Sequence, residues 1–191
     1  MMDDKQYSPS TIDNPLVMDV NQYYPHHFLI ATPELNSKKS DLFNNALIYL
    51  YQHNAEGACG IIINKQITLN LGSVLEQLNI QGQPEIVDQP VFSGGPLSPE
   101  HGFIIYPRLG EASLDRQVDV NMLDPLDVSP SLQTLKNIAD GNGPRKFIVS
   151  LGYSGWDAGQ LELELQSNKW LLAPYNEELL FDTVIEQKRF Q

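Results

Sequence analysis

Apolar residues along this chain come in short runs, and proline, glycine or asparagine closes most of them. The first 24 residues show no steady periodicity and are broken by Pro9 and Pro15. They are expected to form a flexible N-terminal arm, with the folded domain spanning residues 25–191. Residues 26–31 (HHFLIA) form the first short apolar run, stopped by Pro33, and predict a short strand. Residues 41–43 read as one helical turn. Residues 46–51 (ALIYLY) are apolar on both faces and predict a central strand. Turn residues Asn54 and Gly57 lead to a second run, 60–64 (GIIIN), so the pair predicts a hairpin.

The period then changes. Leu71, Val74, Leu75 and Leu78 recur at helical spacing and predict an amphipathic helix over 71–79. Strands are expected at 90–93, 102–106 and, with weaker alternation, 117–122. Ser129-Pro130 reads as an N-cap followed by proline in the first helical position. Leu132, Leu135 and Ile138 then line one side of a helix closed by Gly141. A strand over 146–151 runs into Gly152-Tyr153-Ser154-Gly155-Trp156, read as a tight strand-to-helix turn. Asp157 with Gln160 resembles a capping box opening a helix to about residue 167. A strand at 170–172 and a helical segment from 177 complete the pattern. Hairpins mixed with helices indicate one α+β domain rather than a doubly wound sheet.

Length and charge narrow the function. The 191 residues suit a single domain with a sizeable core. A net charge of −12 opposes nucleic-acid coating, which needs clustered Lys and Arg, and opposes docking on anionic membrane. Cys59 is the single cysteine, which excludes an internal disulfide and a Cys-rich zinc site and fits a reducing compartment. With no basic start followed by an apolar run, and no span near the ~20 residues of a membrane helix, a cytoplasmic location is expected. Seven acids against Lys169 within residues 157–186 gather half the charge in one stretch, a face suited to a basic protein partner.

No complete catalytic constellation is present. Ser154 sits where a nucleophile elbow would lie, but Trp156 replaces the closing glycine. Gly94-Gly95-Pro96 could cradle an anion on its amides, yet it lacks the Lys-Ser/Thr ending of a P-loop. Cys59 and His53 could form a nucleophile and base if the hairpin pairs them. The spacing of His26, His27, His53 and His101 suggests no metal site. Glu162 and Glu164, two apart on a helix, read as a solvated face. No cofactor is expected.

Taken in order, His26-His27-Phe28-Leu29-Ile30-Ala31 with Pro33, His53 with Gly57-Ala58, Gly60, Asn64 and Lys65, Gly94-Gly95-Pro96, Gly152-Tyr153 with Gly155-Trp156, Gly159-Gln160-Leu161-Glu162 and Glu164, and Asn168 with Trp170 resemble the YqgE/AlgH family of bacterial proteins. The likeness covers roughly residues 25–182. It implies a compact domain with a bifurcated mixed sheet forming a pseudo-barrel and helices packed outside. It implies no particular reaction, and the transcriptional-regulator label on some members, which comes from a link to alginate production, does not establish DNA contact. The family motif tolerates alanine at the position of Ser154 and leaves that of Cys59 open, which weakens both as nucleophiles. The tail, residues 183–190, lacks the tryptophan expected there.

The reading is therefore a non-catalytic binding or regulatory protein with a small ligand or a protein partner. Its site is expected where His53, Asn64, Gly94, Gly95, Gly152, Tyr153, Trp156 and Gln160 converge. The alternative is a hydrolase-like enzyme acting on a small or phosphate-containing substrate at the Gly94-Gly95-Pro96 and Gly152–Trp156 turns.

Overall fold

The computed structural model describes residues 22–36, 42–108 and 124–182. Residues 1–21 of the expected arm, the expected strand at 117–122 and the tail at 183–190 lie outside them. The strands are β1 (His27–Ala31), β2 (Leu47–Asn54), β3 (Gly57–Ile62), β4 (Gln66–Asn70), β5 (Pro90–Ser93), β6 (Leu97–Pro107), β7 (Leu126–Ser129), β8 (Ile148–Asp157) and β9 (Trp170–Pro174). The helices are α1 (Pro33–Asn36), α2 (Leu71–Gln77), α3 (Pro84–Val87), α4 (Leu132–Ala139) and α5 (Gln160–Gln166), followed by a π-helical turn at Glu178–Asp182.

The nine strands form one mixed sheet that divides at β8. The first half of β8 lies between β5, parallel to it, and β6, antiparallel; its second half pairs with β3. One lobe then continues through β2 and β1 to β9, while the other carries β4 beyond β5 and β7 beyond β6. The path ends at β4 and β9, so the sheet stays open and the fold is a single α+β unit.

Alternation along the strands sorts the core into three clusters. Phe28, Tyr49, Ile61 and Ile63 of one lobe meet Phe92, Ile105 and Ile148 of the other in a shared interior. Their neighbours Leu29, Ile48, Leu50 and Ile62 face the opposite way, onto Leu161 and Leu165 of α5. Val91, Ile104 and Val149 pack under α2 and α4, against Leu71, Leu75, Leu135 and Ile138.

Four sequence expectations change. Gly152–Trp156 is not a strand-to-helix turn: it continues β8 as far as Asp157. The cap of α4 is Ser131, whose hydroxyl accepts the Thr134 amide, because Ser129 closes β7 instead. Gly159 at φ 76° is the cap of α5, while the Gln160 side chain reaches back to accept the Asp157 amide at 3.0 Å. β4 and β7 appear where no strand was expected; both are short and only partly buried, so they lack the apolar runs that mark the inner strands.

Candidate functional site

The sequence-predicted site residues fall into three settings among the described residues. These are a glycine crossing, a polar cluster beneath α5, and Asn64, whose strand exit borders the crossing through Ile62 N to Gly94 O and Ser93 N to Lys65 O.

The crossing lies where β5 leaves the sheet beside the kink in β8. Gly152 has φ 73°, a conformation that costs a side-chain-bearing residue about 1–2 kcal/mol. The Gly94 amide donates to Leu151 O at 2.8 Å, and its carbonyl accepts from Ile62 N at 2.9 Å. A Cβ on Gly95 would stand 2.1 Å from the Tyr153 carbonyl carbon, and one on Gly94 would stand 2.3 Å from Gly152 O. The Gly94 amide is thus engaged by Leu151 O, as suits a structural turn, and is not free for the anion that the glycines could have cradled. Ser154 is buried and donates its hydroxyl to Gly94 O at 3.2 Å. Tyr153 turns toward Phe103 in an edge-on ring contact.

The crossing also shapes its surroundings. Leu97 pairs with Tyr153 and Gly102 with Leu151, so four residues of β6 are accommodated opposite Gly152 alone. A Cβ on Gly152 would stand 2.9 Å from Leu97 O and 3.3 Å from Pro99 Cα. β6 therefore bulges outward at residues 98–101, with Ser98 at φ 46°.

Beneath α5, His53 pairs with Ala58, and Ala58 with Trp156, across three strands. His53 is buried; its Nδ1 accepts the Tyr24 amide at 2.9 Å, so the proton sits on Nε2, which faces Glu162 Oε1 at 3.3 Å. Tyr23 meets the imidazole edge-on. Tyr23 and Tyr24 are thereby held against the domain. Glu164 is not on a solvated face: it is 7% exposed. Its Oε2 accepts Trp170 Nε1 at 2.8 Å and Trp156 Nε1 at 3.0 Å. Its Oε1 accepts Gln160 Nε2 at 3.4 Å. The reason is chemical: two buried indole N–H groups need an acceptor, and a carboxylate can serve both.

Asn64 accepts the Leu47 amide at 2.9 Å and donates to Asn45 O at 2.8 Å, tying the entry of β2 to the exit of β3. Cys59 lies one residue beyond Ala58, so it points to the other face of β3 from His53, beside Tyr51. Alternation forbids the Cys–His pairing.

The sequence reading missed a second place. α2 and α4 stand apart over β6 and β8 and leave a cleft of about 500 Å³. Ile104, Val149 and Leu151 form its floor, Val74 and Leu135 its walls, and Leu78 and Leu132 its lips. Pro99, Glu100 and His101 of the β6 bulge close one end. Leu78 and Leu132 are 45% and 47% exposed, unusual for leucines at helical core spacing. That spacing was legible; which of the leucines stayed uncovered was not. Among the described residues no group of three or more His, Cys, Asp or Glu could hold a metal ion, and no helix is long and apolar enough to cross a membrane.

Comparison with known proteins agrees with this architecture. The AlgH-like family model matches residues 28–190. The chain is 41% identical over 174 residues to a UPF0301 protein of Coxiella burnetii, covering 91% of this chain and 83% of that one. It is 41% identical over 168 residues to a UPF0301 protein of Pseudomonas fluorescens, covering 86% and 84%. Its structure is similar to the solution structure of the AlgH protein from Pseudomonas aeruginosa, with TM-score 0.69 and 37% identity over 97% of this chain and 88% of that one. A Corynebacterium diphtheriae protein shares the fold at TM-score 0.58 and 20% identity.

Proposed function

Since this chain belongs to the AlgH-like family, and the motif side chains described above bond mainly to one another, we propose that it is a non-catalytic binding protein whose site is the cleft between α2 and α4. The ligand is a small, mainly apolar molecule. The observation that carries this reading is the cleft itself, about 500 Å³ of apolar lining left open between leucine lips. That size falls within the ~300–1,000 Å³ of small-molecule sites. Motif glycines contribute indirectly: the Gly95–Gly152 crossing pushes out the β6 bulge that ends the cleft.

Non-catalytic action is supported by the surroundings of the nucleophile candidates. The Ser154 hydroxyl is held by Gly94 O, and His53 has Tyr24 on one ring nitrogen and Glu162 facing the other. Among the described residues no base is positioned on Ser154 or Cys59. A charge of −12 favours a partner other than DNA, and the single cysteine favours the cytoplasm.

An NMR-detected screen of small apolar compounds against the full chain tests the reading. Binding compounds are expected to move amides of α2, α4 and residues 99–104. Compounds that all bind elsewhere, or a library with no binder, would overturn it.

A further inference from the structure

The lining of the cleft carries a charge asymmetry that selects among apolar ligands. Among the described residues no Lys or Arg lines it. Glu100 is the one carboxylate among its described lining residues, at the end closed by the β6 bulge, with the His101 imidazole nitrogen 2.9 Å from its Oε1. The rest of the lining is mostly leucine, valine and isoleucine, with Gln77 and Ser131 as its uncharged polar side chains. The site thus has an apolar body and one mouth that accepts hydrogen bonds and carries a negative charge, on a chain of net charge −12.

An anionic head group would find no cation there and would face Glu100 directly. A neutral molecule would offer Glu100 at most a hydrogen bond, with no attraction between opposite charges. Resting on the cleft reading above, we propose that the ligand class is a cationic amphiphile: a compact apolar body of aromatic or aliphatic carbon ending in a protonated amine. The body lies over Ile104, Val149 and Leu151, and the ammonium meets Glu100. The contribution of charge is modest, because Glu100 is 65% exposed and water screens an exposed pair. Most of the affinity comes from the body, and the amine sets the preference.

Three probes with one body separate the alternatives: 4-phenylbutylamine, 4-phenylbutan-1-ol and 4-phenylbutyrate. Each is titrated into the full chain at pH 8 and low salt, and amide shifts are followed by NMR. All three are expected to move the same α2, α4 and bulge amides. The amine should bind about threefold to fivefold more tightly than the alcohol, the range of an exposed ion pair, and the carboxylate should bind weakest. Glu100→Gln should bring the amine to the level of the alcohol, whereas the remote Glu56→Gln should keep the preference. Leu135→Phe, which fills the cleft, should weaken all three.

The failures are distinguishable. If no probe moves the cleft amides, the cleft reading itself falls. If the probes bind there with equal affinity, or the carboxylate binds best, the cleft stands and the ligand class is wrong. An amine preference that survives Glu100→Gln would also overturn the class, because it would then reflect only the overall charge.

Discussion

The two outer faces of the sheet are built alike, each with helix over strand, yet they leave different things over. Beneath α5, polar groups close on one another: Trp156 and Trp170 donate to Glu164, Gln160 bridges Glu164 to the Asp157 amide, and His53 takes the Tyr24 amide. Between α2 and α4 the opposite holds, and apolar side chains remain uncovered at the lips. A polar cluster bonded largely within itself, here with His53 Nε2 and Glu162 Oε2 lacking a hydrogen-bond partner among the described residues, fixes a structure; an apolar surface left open is available to something else. The difference teaches that the residues with the most chemistry to offer hold the fold together here, while plain leucines frame the proposed site.

Removing the hub of the closed face would break that distinction most severely. Glu164→Ala leaves two buried indole N–H groups without their acceptor, at about 1–3 kcal/mol each. The expected loss is about 4 kcal/mol, read from the urea midpoint. Glu164→Gln keeps an amide oxygen for the indoles and should lose about 1–2 kcal/mol. If the two variants were equally mild, the cluster would not be the clasp described.

The crossing joins the two faces and comes next. Gly152→Ala meets both a φ of 73° and Gly95 O at 2.6 Å from the new Cβ. About 2–3 kcal/mol should be lost. The amides of residues 98–101 should shift as the bulge yields, and the affinity of any cleft ligand should fall with them. Gly159→Ala, also at positive φ but with nothing within 4 Å of its Cβ, should cost only about 1–2 kcal/mol and leave the bulge unmoved.

These effects show how far the sequence could be read. The central strands were legible because Ile61, Ile62 and Ile63 sit in an unbroken apolar run. β4 escaped notice because it alternates between half-buried and exposed positions. The kink at Gly152 escaped because a glycine discloses its φ only in three dimensions. Glu164 was misread because helical spacing reports neighbours on the same helix, whereas its partner Trp156 belongs to β8 and Trp170 to β9. The open cleft was equally hidden: Leu78 and Leu132 have core spacing, and only the separation of α2 from α4 leaves them uncovered.

Between the two faces lies the shared interior, and pH probes it separately. Burial pushes the Tyr49 and Tyr51 phenols well above their ordinary value, and that of Tyr175 up to about 12. In the unfolded chain each ionises near pH 10. Below pH 10 both states hold these protons and the contribution is fully present. Above it the unfolded state releases protons that the folded state keeps, so stability falls as pH rises. Denaturant titrations at pH 9 and pH 11 should show a clear loss, on the order of 1 kcal/mol for each fully buried tyrosine. Tyr49→Phe should flatten the slope. A stability independent of pH across that range would contradict the buried, protonated interior.

The smallest expected change in stability is the most discriminating. Leu78→Ser and Leu132→Ser replace lips that are nearly half exposed already, so each should shift stability by no more than about 0.5 kcal/mol. If these leucines instead cost 2 kcal/mol or more, they belong to the core by energy whatever their exposure, and the cleft would be a packing gap rather than a site. If stability holds while 4-phenylbutylamine loses about tenfold or more in affinity, the two faces differ as their chemistry indicates. The closed one then answers in folding energy alone, and the open one in binding alone.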